Sequence, residues 1–306
     1  MKKKLLLIDT FNFLHRAYHA IPKTFRDKEG NPTNAIYGFT SMLINLFDQI
    51  QPNYVVAAMD NEEPTFRVEN FTAYKAHRKP LEPNFEAQIA GAVEILDAFG
   101  IKNINLVGYE ADDVIGTVAK QFAGLELNVI MVSNDHDLWQ LINENVFVMT
   151  PSNGGSGDWI GADEVKKRMG FLPAQIIDYK ALRGDASDNI PGVHGIGEKT
   201  AKKLIEEFGS IEKIYANIAK IEPASLREKL ANNAEMATMS KNLATIDCDA
   251  PISLKLDECR YNDFNRSAVR DVLARYNFKS LIKRLGFDIS SGKKEKEVDE
   301  DQLKLL

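Results

Sequence analysis

The chain has 306 residues, of which 44% are apolar and 27% are charged, and its formal net charge at pH 7 is −6. This length and composition allow a substantial buried core in one large or two modest domains. The negative total excludes a polycation that coats nucleic acid nonspecifically, because such binding needs lysine and arginine in excess. It does not exclude an enzyme that handles phosphates, since an acidic site and local basic patches can coexist.

Neither a membrane span nor a secretion signal is predicted. No apolar run approaches the roughly 20 residues of a spanning helix, and the apolar part of Met1–Asp9 is too short for a signal peptide. We therefore expect a cytoplasmic location. Cys248 and Cys259 are too few for a disulfide framework or a cysteine zinc site, so both are expected to be ordinary thiols.

Three short apolar runs predict buried strands, and each is followed by an acid. They are Lys4–Asp9, Tyr54–Asp60 and Leu127–Ser133, the last of which precedes Asp135 and Asp137. In open α/β sheets the functional crevice lies beyond the carboxyl ends of the strands. The sequence therefore predicts that these acids meet at one edge of a parallel sheet.

A further acidic cluster, Glu110, Asp112 and Asp113, falls at a predicted helix start followed by the apolar Val114 and Ile115. Taken alone, this cluster is better explained by the preference of carboxylates for helix N-termini than by a metal site. The acids at the strand ends favour a shared site, because helix starts in such folds point to the same edge.

Between the second strand and this cluster lies the basic, aromatic stretch Ala73–Pro80, which contains Tyr74, Lys75 and Arg78. It could grip phosphates and stack a base. The alternative is a solvated loop or helix face, since charge runs commonly serve solubility. Apolar periodicity predicts helices over residues 35–50 and 84–99.

After Thr150 the pattern changes to a turn-rich loop at residues 151–157 and then to helical periodicity, so we place a boundary near residue 168. The most informative stretch here begins with Asp185 and Asp188, two acids three positions apart. A glycine hairpin follows and opens an amphipathic helix over residues 198–208.

Free backbone N–H groups at such a helix start bind anions. The alternative is a capped turn with a lysine-rich exposed face. The residues expected to contact phosphates are Gly195, Gly197, Lys199, Thr200, Lys202 and Lys203.

Together these motifs resemble the 5′-nuclease domain of bacterial DNA polymerase I, within the flap endonuclease family. The resemblance extends from residue 4 to about residue 287. It is carried by Asp9, Arg16, Asp60, residues 66–67, Tyr74, Lys75, Arg78, residues 109–113, residues 135–137, residues 184–192 and residues 195–201.

The resemblance implies an α/β fold with a PIN-like parallel-sheet nuclease core at residues 1–168 and a helical arch near 66–90. A mainly helical DNA-binding part would follow at 169–288, with a helix-three-turn-helix module at about 174–208. Residues 289–306 are polar and are expected to form a tail or linker.

The charges themselves predict metal ions. Two like charges 4 Å apart repel by about 4 kcal/mol at an effective dielectric of 20, so several of nine acids would not stay ionised together without divalent cations. Oxygen ligands favour Mg²⁺, with Mn²⁺ as a substitute. By resemblance, one metal would be held by Asp9, Asp60, Glu110 and Asp112, a second by Asp112, Asp135, Asp137 and Asp188, and Asp113 and Asp185 would lie in an outer shell.

The resemblance also implies roles for the basic and aromatic residues. Lys75 and Arg78 would contact the scissile phosphate and Tyr74 would stack near the displaced base. Arg16 and Arg67 would steady the DNA backbone. The glycine hairpin would hold the downstream duplex, and a K⁺ ion there is a further expectation.

The function implied is a 5′-3′ exonuclease and flap endonuclease that uses two metal ions in primer removal and repair. Its partners would be branched or nicked DNA and RNA-primed 5′ ends, with a polymerase in cis or in trans, and we expect a monomer. Two alternatives stay open: a PIN-like ribonuclease with the same metal chemistry, and a non-catalytic DNA junction-binding scaffold.

Three positions depart from the family pattern. Thr10 and Asn134 stand where the family has glycine, and His136 stands where it has lysine or arginine. Asparagine tolerates positive φ, so we expect Asn134 to keep the turn. His136 is expected to be a surface side chain and not a catalytic base.

Overall fold

The structure is a computed structural model that describes residues 2–124, 126–151, 157–261 and 264–287. The predicted polar tail at 289–306 and most of the turn-rich loop at 151–157 lie outside these ranges. Within them, none of the helices has both the length and the apolar character that crossing a membrane would require.

A six-stranded sheet in the order β3-β2-β1-β4-β5-β6 forms the centre of the first half. The strands are β1 (Lys3–Asp9), β2 (Tyr54–Met59), β3 (Lys102–Asn105), β4 (Leu127–Val132), β5 (Val146–Thr150) and β6 (Asp158–Ile160). The first five strands pair in parallel, and β6 pairs antiparallel with β5. The predicted α/β class and the three predicted strands are confirmed.

Helices cover both faces of the sheet. Those of the first half are α1 (Thr10–Ala20), α2 (Asn34–Ile50), α3 (Phe66–Asn70), α4 (Pro83–Glu86), α5 (Ile89–Ala98) and α6 (Ala111–Phe122). Side chains alternate along a strand, so Leu6 and Ile8 of β1 pack with α1, α2 and α5. Leu5 and Leu7 pack with α6 on the opposite face.

The second half is helical, as predicted, and no strand follows Ile160 among the described residues. Its helices are α7 (Ala162–Met169), α8 (Ile176–Arg183), α9 (Glu198–Phe208), α10 (Ile211–Ala216), α11 (Ala224–Asn232), α12 (Ala234–Ala244), α13 (Arg266–Arg275) and α14 (Lys279–Arg284). Helices α7 to α11 extend the apolar cluster that contains α6. Helices α13 and α14 instead return to the opposite face of the sheet, beside α1, α2 and α5.

The helix predicted over residues 84–99 is divided in the structure into α4 and α5. Gln88 lies between them and is fully buried. Its side-chain oxygen accepts a hydrogen bond from the backbone N–H of Ala35 at 2.8 Å, and its amide nitrogen donates to the carbonyl of Asn84 at 2.7 Å. The bond from Ala35 ties the break to the start of α2, and the bond to Asn84 ties it back to α4. Periodicity alone does not reveal this break.

Candidate functional site

Three acids meet where the parallel strands end. Asp9 is the last residue of β1, Asp60 directly follows β2, and Asp135 follows β4 after a short turn. Because β2 and β4 lie on opposite sides of β1, the sequential order of the strands reverses there. Crevices at such switch points commonly bind ligands.

The start of α6 adds two more acids to this edge. Asp60 accepts a hydrogen bond from the backbone N–H of Ala111 at 2.8 Å and so ties the end of β2 to the helix start. Glu110 is the N-terminal capping residue of α6, and Asp112 lies in its first turn. Carboxylates are favoured at a helix start, so the local sequence supports the placement.

A cavity of about 540 Å³ opens between these elements and the segment at residues 75–85. Seven of the predicted site residues line it: Asp9, Asp60, Lys75, Arg78, Glu110, Asp112 and Asp135. A second cavity of about 430 Å³ is lined by Asp135, Asp137 and Asp185. Asp135 lines both, so the two cavities flank one carboxylate.

Burial and mutual repulsion raise the pKa of several of these acids. Burial, followed by repulsion from Asp60 and Asp135, raises the pKa of Asp9 to about 7. Burial and the charges of Asp135 and Asp9 likewise hold the pKa of Asp112 well above its usual range. Burial also raises the pKa of Asp137 to about 7, although the Lys180 ammonium opposes this. At neutral pH the nearby cations therefore do not fully compensate the negative charge of Asp9, Asp112 and Asp137.

Two basic residues of the Ala73–Pro80 stretch bind acids of both halves of the chain. The Lys75 ammonium donates to Glu110 at 2.9 Å and lies 3.9 Å from Asp188. Arg78 donates to Asp188 at 2.7 Å. The backbone of Lys75 has a φ of 52° and donates to the carbonyl of Asp188 at 3.0 Å. The basic stretch is therefore docked on the Asp185–Asp188 loop.

Lys180 is a site residue that the sequence did not single out. It lies on α8, is 8% exposed, and its ammonium binds both Asp137 and Asp185. Burial raises the pKa of Asp185, but Lys180 and hydrogen bonds from Ser187 outweigh it and lower the pKa to about 2. The sequence does contain a clue to this role, because Lys180 stands among the buried residues of α8 only five positions before Asp185.

The donor chemistry of the site fits hard divalent cations, because its acids supply carboxylate oxygens and their repulsion is unrelieved. As the side chains stand, no three His, Cys, Asp or Glu residues in the described ranges are grouped as metal ligands. Lys75, Arg78 and Lys180 hold several of the acids. To bind a metal ion, Glu110, Asp137 and Asp188 would therefore have to leave these basic partners.

The raised pKa values predict a pH-dependent stability of the metal-free protein. Asp9 and Asp137 release protons near pH 7 when folded but near 4 when unfolded, so their stabilising effect is present below about pH 4 and is lost as pH rises to about 7. We expect the free energy of unfolding in EDTA to fall between about pH 5 and 7.5, and added Mg²⁺ to restore more of it at the higher pH.

Denaturant titration at both pH values, with EDTA or Mg²⁺, measures this effect. Asp9→Asn, which removes one of the two groups, should weaken the pH dependence. A metal-free protein equally stable at both pH values would contradict the raised pKa values.

Arg67, Tyr74 and Asp113 of the predicted site are buried, and the first two are not exposed for the DNA contacts that the resemblance implies. Arg67 is 2% exposed and donates to both oxygens of Asp113 at 2.8 and 2.7 Å. Asp113 is fully buried and accepts further bonds from the backbone of Glu110 and Asp247. The two form an internal ion pair, so Arg67 is not exposed for contact with DNA. The outer-shell position of Asp113 stays a prediction.

Tyr74 is likewise 3% exposed and packs with Ile190 and Leu243, so its ring is not presented to a base. Its hydroxyl donates to Glu110 at 3.2 Å and to Asp188 at 3.4 Å. Arg16 is half-buried on α1 and is not among the residues that line either cavity. The structure thus brings the acids together with Lys75 and Arg78 and leaves Tyr74, Arg67 and Arg16 outside the open space.

The glycine hairpin forms a separate feature on the helical half. Gly195 has a φ of 77°, and Gly197 caps the start of α9. Lys199 and Lys203 are exposed, while Lys202 pairs with Glu198 at 2.8 Å and Thr200 is half-buried. None of the six predicted phosphate contacts lines either cavity.

The three departures have simple structural settings. Thr10 is fully buried at the start of α1, and its hydroxyl has no hydrogen-bond partner among the described residues. Asn134 is not among the described residues with positive φ, so the turn between Ser133 and Asp135 does not depend on a conformation that favours glycine. His136 is exposed and its ring lies 4.1 Å from that of Trp139.

Two family models match consecutive parts of the chain. The model described as 5′-3′ exonuclease, N-terminal resolvase-like domain, matches residues 4–170. The model described as 5′-3′ exonuclease, C-terminal SAM fold, matches residues 171–267.

Curated relatives include DNA polymerase I of Caldicellulosiruptor bescii, which is 43% identical over 286 residues, 92% of this chain and 33% of the relative. DNA polymerase I of Bacillus subtilis is 38% identical over 306 residues, 100% of this chain and 35% of the relative. The chain therefore spans about a third of the length of these relatives.

Solved structures share the fold. The bacteriophage T5 flap endonuclease in a complex with DNA and metal ions has a TM-score of 0.68 at 21% identity, covering 90% of this chain and 100% of that one. The catalytic core of Rad2 with DNA substrate has a TM-score of 0.57 at 18% identity, covering 89% and 86%.

Proposed function

Because this chain belongs to the 5′-3′ exonuclease family, we propose that it is a structure-specific 5′ nuclease that hydrolyses phosphodiester bonds at single-strand/duplex junctions of DNA. The observation that carries this proposal is the gathering of Asp9, Asp60, Glu110, Asp112 and Asp135 around one open cavity. The raised pKa values of Asp9 and Asp112, and the oxygen-only donor set of the five acids, support a site for divalent metal ions, for which Mg²⁺ is the proposed choice.

Asp9, Asp60, Glu110 and Asp112 would hold one cation, and Asp135, Asp137 and Asp188 would hold another together with Asp112. Two bound cations would supply Lewis-acid activation of water and of the departing oxygen. Lys75 and Arg78 reach the cavity from its rim and would orient the scissile phosphate by charge. Asp185 and Lys180 would fix Asp137 from behind.

We propose the division near residue 168 as well, with residues 66–90 as the arch. Lys75, Arg78 and Leu81 of this segment line the cavity, which supports that placement. Residues 174–208 would hold the downstream duplex through the N-terminus of α9 and the exposed Lys199 and Lys203, with K⁺ as a proposed ligand of the hairpin.

The proposed substrates are branched or nicked DNA and RNA-primed 5′ ends, processed in the cytoplasm as part of primer removal. A polymerase in cis is proposed because the curated relatives are DNA polymerase I chains about three times as long. A monomer is proposed because a single chain contributes every residue of the site.

Cleavage of a 5′-labelled flap duplex, with and without Mg²⁺, tests the proposal. We expect Mg²⁺-dependent cuts at the junction and little cleavage of single-stranded RNA. Preferential cleavage of the RNA would favour the PIN-like ribonuclease, and tight binding without cleavage at any Mg²⁺ or Mn²⁺ concentration would favour the scaffold.

Replacing Lys75 with alanine should slow flap cleavage by about 10- to 100-fold, because the variant loses the cation that would orient the phosphate. The matched control is Lys102→Ala, which removes a lysine paired with the exposed Glu258 at 2.6 Å. Cleavage rates at increasing Mg²⁺ concentration distinguish a lysine that orients the phosphate from one that only positions Glu110. If Lys75 only positions Glu110, saturating Mg²⁺ would restore the rate, which would contradict the phosphate role.

A further inference from the structure

Two histidines form a pair on the side of the first cavity that is lined by Phe11, Tyr18 and Phe85. His15 and His19 lie one turn apart on α1, are both exposed, and both line the cavity. Their Nε2 atoms are 3.2 Å apart, and their ring centroids are 4.5 Å apart. His15 packs edge-on against Phe85 at 5.6 Å, which holds its ring in place.

This geometry suits a metal ion that prefers imidazole. Histidines at i and i+4 on one helix face are the arrangement that binds zinc in helical H-E-x-x-H sites. Two nitrogens bound tetrahedrally at Zn–N distances of about 2.0 to 2.1 Å lie roughly 3.3 Å apart, close to the separation observed here. Burial, followed by the neighbouring His19, lowers the pKa of His15, which favours the neutral ring that binds a metal ion.

A carboxylate stands beside the pair. Glu82 lines the same cavity just before α4 and interacts electrostatically with both histidines. It accepts hydrogen bonds from the Tyr18 hydroxyl at 2.7 Å and from Lys23 at 2.9 Å. Lys23 balances this charge in the structure, so Glu82 would have to leave that lysine to attract a cation held by the pair.

We propose that the two imidazole nitrogens of His15 and His19 bind Zn²⁺ or a similar transition-metal ion, at a site separate from the carboxylate cluster. No third His, Cys, Asp or Glu of the described residues is grouped with them, so water would complete the coordination, and Glu82 would contribute by its charge. The two classes of site differ in ligand chemistry. Imidazole nitrogens favour Zn²⁺ over Mg²⁺, whereas the carboxylates at the strand ends favour Mg²⁺. An excess of Mg²⁺ would therefore fill the acid cluster and leave the histidine pair free for zinc.

Binding there would have a consequence for strand entry, and this part rests on the proposed function. An ion held by the histidine pair would attract the Glu82 carboxylate towards α1 and so restrain residues 80–86, several of which line the same cavity. A flexible strand passing the mouth of the cavity would then be hindered. Zinc would therefore act as an inhibitor even when Mg²⁺ saturates the carboxylates.

Calorimetric titration of the whole chain with Zn²⁺ in a large excess of Mg²⁺ tests the site without any cleavage. We expect one zinc ion per chain. His15→Gln and His19→Gln should each weaken its binding at least about tenfold, while His194→Gln, which changes another exposed histidine, should leave it unchanged. Glu82→Gln should weaken it less. Thermal unfolding of each variant checks that α1 is intact.

Equal zinc affinity in the wild type and both pair variants would overturn the proposal, as would zinc binding that disappears when Mg²⁺ is raised. Unchanged affinity in Glu82→Gln would remove Glu82 from it. Flap cleavage at fixed Mg²⁺ tests the consequence: zinc should inhibit the wild type more strongly than His15→Gln. If no cleavage occurs at all, the proposed function fails, and the calorimetry still decides whether the histidine site exists.

Discussion

Asp112→Asn should reduce flap cleavage at least about a hundredfold and leave DNA binding nearly unchanged. Asp112 lies at the start of α6, lines the cavity, and interacts with both Asp9 and Asp135. It is thus the acid placed to serve both proposed cations. Asparagine keeps the size of the side chain but removes a negative charge, so the effect should fall on metal binding and chemistry and not on folding.

Cleavage under single-turnover conditions measures the effect on chemistry, and flap binding in Ca²⁺ measures the effect on DNA affinity. Asp97→Asn, which changes an exposed acid on α5, is the matched control and should cleave normally. Full activity of Asp112→Asn would refute its assignment as a metal ligand. Loss of binding in parallel with activity would show that the acid shapes the substrate surface instead.

Arg67→Ala should lower the free energy of unfolding by about 3 to 5 kcal/mol, because it leaves the buried Asp113 without its partner. The lost guanidinium also donates to the carbonyls of Leu243 at 3.0 Å and Thr245 at 2.7 Å. It therefore joins α3 and α6 to the end of α12.

Chemical denaturation measures the change, and Lys120→Ala provides a control. Lys120 pairs with Asp249 at 2.6 Å, but both side chains are largely exposed, so the loss should be below about 1 kcal/mol. The double variant Arg67→Met with Asp113→Leu should recover part of the stability, since no charge stays buried. A loss as small as that of the control would show that Asp113 is accessible to water or to a cation.

The acids at the strand ends could be predicted because a buried parallel strand leaves a clear apolar run, and its end fixes where the next polar residue lies. Asp9, Asp60 and Asp135 follow this rule, and the helix start at Glu110 follows from its charge and the apolar residues behind it. The strand β3, Lys102–Asn105, is only half-buried and polar, so it carries no such signal.

The direction of single side chains in short turns could not be predicted. In the stretch around Tyr74 and Lys75, the sequence gives a phenol next to an ammonium but does not say which one is buried. The positive φ of Lys75 settles this by turning the backbone so that Tyr74 packs inward against Ile190. The burial of Arg67 could not be predicted either. Its partner Asp113 is 46 positions away, and only the fold brings the two together.

The return of α13 and α14 to the sheet has a bearing on how the protein can be divided. Val269, Leu273 and Ile282 of these helices share one apolar cluster with Leu6 and Ile8 of the first strand. Tyr276 donates to Glu94 of α5 at 2.7 Å, and Arg284 pairs with Asp48 of α2 at 3.1 Å. A fragment that stopped at residue 170 would expose this apolar surface to water. The smallest part of the chain that folds on its own is therefore longer than the segment that carries most of the acids.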